Sequence, residues 1–332
     1  MISQYSGANF LGEFDLIKRY FTATAYAADV VLGVGDDAAV LDVPPGHKLV
    51  AAVDTLVEGI HFPIGTAAAD IAYRALAVNL SDMAAMGAIP RWFTLSLCLP
   101  AANETWLAEF AASLHELATR FGVQLVGGDT VKGPLNISVQ ILGLVENDAW
   151  LTRSGAQPGD LLMVSGVPGE AAGGLQLLLQ PPLSVEDRHR RHLLERFYRP
   201  APRVELGRSM RCLATAAMDI SDGLLTDLRK LCAASACGAK LDLEALPQSL
   251  ALNATFGSQA AQRYTLFGGD DYELLFTLPR ERLAQLEAAS AMLCVPCTPI
   301  GQIVSGSDVQ CFNHGQLTEI QGAGFDHFAT HR

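Results

Sequence analysis

The stretch Val123–Glu146, VQLVGGDTVKGPLNISVQILGLVE, decides the fold class. Two β-rich runs, VQLVGGDT and LNISVQILGLVE, follow one another around a glycine-rich turn with no helix between them. A doubly wound α/β sheet needs a crossover after each parallel strand, so strands in direct succession point to an α+β architecture instead. Upstream, RWFTLSLCLP is a strand closed by Pro100, and an amphipathic helix follows over Glu104–Phe121. Lys48–Val57 is another β-rich run, entered after the turn PPG. From Ala67 to Met86 most residues are Ala, Leu, Ile, Val or Met, so this helix is apolar almost all round and is expected to be buried. GEFDLIKRYF, with Phe14, Ile17 and Phe21 at helical spacing, reads as a short helix.

Downstream, the turn-rich segment ENDAWLTRSGAQPGD (Glu146–Asp160) marks a boundary between an N-terminal domain, 1–147, and a C-terminal α+β domain, 148–332. Past it, DLLMVSGVPGEAAGGLQLLL reads as strand, glycine loop and helix, and PPLSVEDRHRRHLLERFYRP as a solvated helical excursion. ATAAMDISDGLLTDLRKLCAAS is a strand-like entry into a helix. Each half is expected to hold one main sheet. No fixed-period repeat is visible.

With 332 residues, half of them hydrophobic and 17% charged, the chain can bury large cores. No run of eighteen or more apolar residues appears, and the start MISQYSGANF lacks the basic and apolar regions of a signal peptide. Seven scattered cysteines suit a reducing compartment, so a cytoplasmic protein without membrane attachment is expected. Cys294 and Cys297, in CVPC, are a lone pair without further ligands and read as strand cysteines rather than a zinc site. A net charge of −12 argues against a nucleic-acid partner.

Against that acidic balance, apolar segments keep delivering aspartates to glycines or helix starts. GVGDDAAV holds Asp36 and Asp37, AAVDTLVEG Asp54, LSDMAAMG Asp82, VGGDTVKG Asp129, MDISDG Asp219 and Asp222, and FGGDDYELLF two more aspartates. Adjacent carboxylates about 4 Å apart repel by roughly 4 kcal/mol at an effective dielectric near 20. Asp82 sits in an apolar helix, where an unpaired carboxylate costs several kcal/mol; pairing to Arg74 or a lysine is one resolution, a metal ion the other. Oxygen ligands without His or Cys select Mg²⁺ or Ca²⁺, and the EF-hand pattern is absent. Mg²⁺ takes few protein carboxylates and completes its shell with water and phosphates, so dispersed aspartates suggest several Mg²⁺ ions bridging the chain to a polyphosphate. Neither a P-loop nor a dinucleotide-binding glycine fingerprint is present. SGVPGEAAGGL could offer helix-start amides to an anion or be a simple turn and cap. Arg153 is a lone cation among turn residues, either a surface arginine or a phosphate clamp.

Taken together, GVGDDAAV, VDTLVEGIHF, AVNLSDMAAMGA, LVGGDT, LTRSGAQPGD, DISDGL and GGDDYELLF closely resemble the thiamine-monophosphate kinase family, of the superfamily of aminoimidazole ribonucleotide synthetase and selenophosphate synthetase. The resemblance runs from GEFDLI to GFDHF. It implies an N-terminal sheet that pairs across a homodimer into a barrel, and ATP-dependent phosphorylation of thiamine monophosphate by direct in-line transfer of the γ-phosphate. The metal ligands it implies are Asp36, Asp37, Asp54, Asp82, Asp129, Asp219 and Asp222, with Asp129 and Asp222 as catalytic carboxylates. It further implies that Gly128, Asp129, Arg153 and Ser221 meet ATP, and that His61 and Glu273 meet the substrate. Two departures stand out. Ala52 and Val53 occupy places where the family often carries hydroxyls, and Gly322 stands where a tryptophan would be sought, leaving Phe325 as the substitute stacking residue.

Among rival readings, a selenophosphate synthetase would want a reactive cysteine in the N-terminal segment, yet no cysteine precedes Cys98. VEGIHF and GGDDYELLF fit an amidine-forming synthetase less well. A non-catalytic divalent-ion binder is the remaining class.

Overall fold

The computed structural model describes residues 12–22, 26–180, 184–322 and 324–325. Helix α1 (Glu13–Leu16) runs into a π-helical turn over Ile17–Phe21, and β1 (Val30–Leu32) and β2 (Val40–Leu41) form a small antiparallel ribbon. The first main sheet holds β3 (His47–Val57), β4 (Ile89–Leu99), β5 (Gln124–Lys132) and β6 (Asn136–Glu146) in the order β3-β6-β4-β5. Only β4 and β5 are parallel, and the helix α3 (Glu104–Phe121) connects them; α2 (Ala68–Ala85) lies between β3 and β4 in sequence. The two strands that follow each other directly are therefore not neighbours. β4 sits between β5 and β6, a pairing that the local pattern of Val123–Glu146 cannot reveal.

The second sheet holds β7 (Leu161–Ser165), β8 (Ala216–Asp219), β9 (Gly238–Asp242), β10 (Leu274–Leu278), β11 (Cys297–Val304), β12 (Val309–Asn313) and β13 (Gln316–Thr318). Its order is β13-β12-β9-β11-β7-β10-β8, antiparallel except for β9 beside β12. Helices α4 (Glu170–Leu179), α5 (Asp187–Tyr198), α6 (Val204–Met210), α7 (Leu224–Ser235), α8 (Leu250–Phe256), α9 (Ser258–Phe267) and α10 (Leu283–Leu293) surround it. β7 is buried throughout because successive residues serve two cores. Leu161 and Met163 face one, while Leu162 and Val164 join Leu224, Leu228 and Leu231 of α7 in the other.

Helix α2 explains its own composition. One side lies on β3, β4 and β6; the other meets α6 and β8 of the C-terminal half. Leu80 and Met83 therefore share one apolar cluster with Val139 and Ile141 and with Val204, Met210 and Phe276. Each such fully buried side chain contributes roughly 1.5–3 kcal/mol. The crossing with α6 is so close that a Cβ at Gly207 would overlap the Ala84 carbonyl. The turn-rich segment between the halves is stitched down as well: Leu151 N donates to Met86 O at 3.0 Å and Ala217 N to Thr152 O at 2.8 Å.

Two local expectations are corrected. Helix α5 is not simply solvated, since Leu193 and Phe197 are buried and Arg196 reaches two acids beneath. At CVPC, Cys294 is the exposed left-handed C-cap of α10 and only Cys297 begins a strand.

Candidate active site

Along β3 the side chains alternate. Leu49, Ala51, Val53 and Thr55 lie on the open face, and Asp54 and Leu56 on the face that packs against α2. Asp54 thereby meets Asp82 of α2, to which it is hydrogen-bonded. The last residue of β8, Asp219, is buried at the same place and accepts a 2.7 Å hydrogen bond from Ser81 Oγ. Three carboxylates from three elements thus converge where the two halves meet. Burial first, then the charges of Asp219 and Asp54, push Asp82 up to about 8. Burial also lifts Asp219 to about 6 and raises Asp54. Arg153 lowers both Asp82 and Asp219, which puts it beside the cluster. Arg74 does not pair with Asp82; its partner is Asp270.

Next to the cluster opens a cleft of about 360 Å³, with Asp54, Ser221, Asp222 and Asp270 among its polar lining. Its apolar wall includes Leu56, Ile60, Val78, Leu175, Tyr272 and Phe325, with His61 beside them. His61 Nδ1 accepts from Val57 N at 3.0 Å, which leaves the neutral ring its proton on Nε2. Ser221 N and Asp222 N both donate to Asp227 Oδ2 at 3.0 Å, which shapes the DISDG turn at the start of α7. Asp222 and Asp227 share Lys230. The GGDD loop lies directly on that turn, because a side chain at Gly269 would collide with the Ser221 carbonyl.

The GGDDYE acids divide by partner. Asp271 accepts from Gly169 N at 2.6 Å and Ala171 N at 3.2 Å, so the helix-start amides of SGVPGEAAGGL are filled by the chain itself. Glu273, expected beside the substrate, is enclosed by other partners. Its side chain is 0% exposed and is held by Arg196 at 2.6 Å, Arg203 at 2.5 Å and Ser165 at 2.6 Å, away from the cleft. The acid of this motif that lines the cleft is Asp270. The sequence distinguishes the two: Glu273 abuts the mostly apolar run LLFTL, whereas Asp270 follows two glycines.

The remaining expected residues lie elsewhere. Asp36 and Asp37 sit on an exposed turn, where Asp37 N donates to Asp36 Oδ1 at 2.9 Å. Gly128 and Asp129 are exposed on the edge strand β5; Asp129 pairs with Ser96, and Val34 borders the same shallow hollow. The acids thus form two groups: Asp54–Asp82–Asp219 with Asp222 near the cleft, and Asp129 with the Asp36–Asp37 turn beyond β5. Ala52 packs against the apolar core and Val53 is exposed. A side chain at Gly322 would come within 2.5 Å of the Phe267 ring, which leaves no room there for a tryptophan. Phe325 does line the cleft, its N–H donating to Asp222 O at 3.1 Å. Asp326, His327 and Phe328 lie outside the described residues.

As they stand, no three His, Cys, Asp or Glu side chains among the described residues are gathered tightly enough to hold an ion alone. Crowded, all-oxygen donors with one shared arginine nonetheless suit a hard divalent cation that takes one or two carboxylates and draws its other ligands from phosphates.

Residues 35–145 match the family model "AIR synthase related protein, N-terminal domain", and 157–312 match "AIR synthase related protein, C-terminal domain". A thiamine-monophosphate kinase of Escherichia coli (strain K12) is 47% identical over 322 residues, covering 96% of this chain and 99% of that one. The crystal structure of thiamine-monophosphate kinase from Stenotrophomonas maltophilia K279a is similar at a TM-score of 0.85 and 42% identity, over 94% of this chain and 98% of that one. AaThiL complexed with AMPPCP and TMP is similar at a TM-score of 0.76 and 32% identity, over 96% and 97%. Among the described residues no helix is long and apolar enough to cross a membrane. Two family models in sequence and a relative matched almost end to end lead to one conclusion: the chain belongs to the thiamine-monophosphate kinase family of AIR synthase related proteins.

Proposed function

We propose that the protein transfers the γ-phosphate of ATP to thiamine monophosphate, giving thiamine diphosphate, and that it does so in the cytoplasm. The observation that carries this reading is the convergence of Asp54, Asp82 and Asp219 at a cleft whose far wall is apolar and aromatic. Carboxylates crowded without enough cations suit a phosphate-rich ligand that arrives with metal; the apolar wall suits a ring system. Asp54, Asp82, Asp219 and Asp222 would hold Mg²⁺ on one side, and Asp36, Asp37 and Asp129 on the other. When bound, Mg²⁺ neutralises the transferring phosphates and lets two anions approach.

The chain's own residues do the rest. Arg153, beside the acid cluster, and Ser221, on the DISDG turn, would meet the nucleotide, with Gly128 beside Asp129 on β5. His61, Phe325 and Tyr272 border the substrate ring, and Asp270 faces its cationic thiazolium. Glu273 supports this wall from behind through Arg196 and Arg203. The nucleophile is a phosphate oxygen already ionised at neutral pH, so positioning and charge neutralisation suffice and no general base is required. Transfer is direct and in line; inversion at a chiral γ-phosphorus is the expected outcome, and retention refutes it.

The active form is a homodimer. The open face of the first sheet exposes Leu49 at 50% and Val53 at 62%, with Val131 at 47% near the opposite edge, a surface that a second copy would cover. Such an obligate interface buries above about 2,000 Å². Light scattering that shows a monomer at micromolar concentration refutes it. The activity is tested by ADP release with and without thiamine monophosphate. Release that requires thiamine monophosphate and yields thiamine diphosphate supports the assignment; release indifferent to it overturns it.

A further inference from the structure

Helix α2 carries one arginine, Arg74, buried to 1% exposure beneath the cleft. Its Nη1 donates to Phe197 O at 2.6 Å, and the guanidinium lies 4.7 Å from the Phe197 ring centroid and 5.9 Å from that of Tyr272. Its other edge pairs with Asp270, the only carboxylate it meets among the described residues. Arg74 itself does not line the cleft; Asp270 and Tyr272 do.

Those two residues have an unusual backbone. Asp270 has φ 71° and Tyr272 φ 52°, the left-handed region, although neither is glycine. Such conformations are costly for residues with a side chain and persist only where the surroundings over-determine them. Here Asp270 N donates to Ser221 O and Tyr272 N to Ile220 O, both at 2.9 Å. These bonds guide the loop's path, which the Arg74 pair steadies from the side-chain end, but they do not set where the Asp270 carboxylate points. The ion pair sets that, with the Tyr272 hydroxyl 3.5 Å from the same Oδ1 as a weaker second contact. For core packing alone, an apolar side chain of similar volume would serve as well as a buried arginine or better, because burying a charged pair carries a desolvation cost.

We propose that Arg74 is the positioning residue of the substrate wall. From behind the cleft it orients the Asp270 carboxylate and braces the Tyr272 ring, so that both face the ring of the bound substrate while the phosphate-transfer end is untouched. The proposal rests on the thiamine monophosphate reading given above.

Steady-state kinetics of Arg74→Met, Arg74→Lys, Asp270→Asn and the double variant Arg74→Met/Asp270→Asn test it. Arg74→Met is expected to raise KM for thiamine monophosphate about tenfold or more, with KM for ATP within about twofold. Arg74→Lys, which keeps the charge but not the fork, falls between. The double variant is no worse than the worse single one, because both act through one contact. Equal rises in both KM values, no rise in either, or effects that multiply in the double variant would overturn the proposal. If Arg74→Met does not fold, the ratio of KM values for Arg74→Lys decides. Hydrogen exchange supplies a readout that does not depend on the reaction. The amides of Asp270 and Tyr272 in Arg74→Lys should exchange about tenfold faster than in the wild type, with those of α7 unchanged; unchanged protection at Asp270 and Tyr272 refutes the positioning role. A wild-type chain that fails to phosphorylate thiamine monophosphate overturns the assigned activity instead, and the exchange result still judges Arg74.

Discussion

Asp82→Asn should make the metal-free protein more stable while removing its activity. In the folded chain the Asp82 carboxyl is pushed up to about 8 by burial and by Asp219 and Asp54, against an ordinary 3.8. Below 3.8 the folded and unfolded chains both carry the proton. As pH rises toward 8 the unfolded carboxyl ionises while the folded one stays protonated, so stability declines across that window and levels off above it. Each pH unit costs about 1.4 kcal/mol, so the three units up to pH 7 amount to roughly 4 kcal/mol before relaxation and water entry reduce it. Asparagine keeps the shape and cannot ionise. In EDTA at pH 8 the variant is expected to melt several degrees above the wild type, for a gain of about 2 kcal/mol or more. With Mg²⁺ and ATP the order reverses, because the wild type gains ligand stabilisation that the variant lacks. Its kcat should fall about a hundredfold or more. Calorimetry in the two buffers and an ADP-release assay check both halves. A variant that melts below the wild type in EDTA, or that is fully active at ordinary Mg²⁺, refutes the reasoning.

Gly207→Ala should destabilise by about 3 kcal/mol or more, because its new Cβ meets the Ala84 backbone at the α2–α6 crossing; urea denaturation measures it. Asp271→Ala should cost about 1–3 kcal/mol by stripping the amides of Gly169 and Ala171 at the start of α4 of their acceptor, in the same assay. His192 is raised above 6.5 by its hydrogen bond to Glu170, so this contact contributes fully below pH 6.5 and is lost as pH rises through the folded value. With its side chain 48% exposed the effect stays below about 1 kcal/mol, and His192→Gln should flatten the wild-type decline in denaturation midpoint above pH 6.5.

Much of this architecture was legible because local patterns report burial. The apolar run Ala67–Met86 predicts a buried helix and α2 is one; Glu104–Phe121 predicts a helix and α3 occupies those residues, with Asn103 Oδ1 capping it. Strands in direct succession predict a sheet that is not doubly wound. What the pattern cannot carry is pairing between distant segments. β4 slots between β5 and β6, and Asp270 rather than Glu273 reaches the cleft, because each acid's fate depends on a cation or amide far away in sequence: Arg74, Arg203, Gly169. Tallying acids overstates the site. Once Asp227, Asp271 and Glu273 are matched with Lys230, helix amides and arginines, the acids beside the cleft that hold no ion pair and no backbone amide among the described residues are Asp54, Asp82 and Asp219, although burial raises Asp271 to about 8 as well. For α5, its polar composition hides a half-buried arginine that bonds Glu170 and Glu273 at once.

Because α2 is covered by strands from one half and by α6 and β8 from the other, the molecule has no seam along which it could be divided. A chain ended at Asn147 would keep all four strands of its sheet yet expose the flank of α2 that carries Ala84, and would self-associate rather than stand as a module. Proteases should find the segment from Asp148 to Asp160 a poor entry point despite its turn-rich composition, since Leu151 and Thr152 are tied to the end of α2 and to β8. The carboxylates also sit on this shared helix and on strands at either side of it. Any opening that separates the halves therefore disassembles the carboxylate cluster in the same event, so thermal loss of activity and loss of structure should follow one curve.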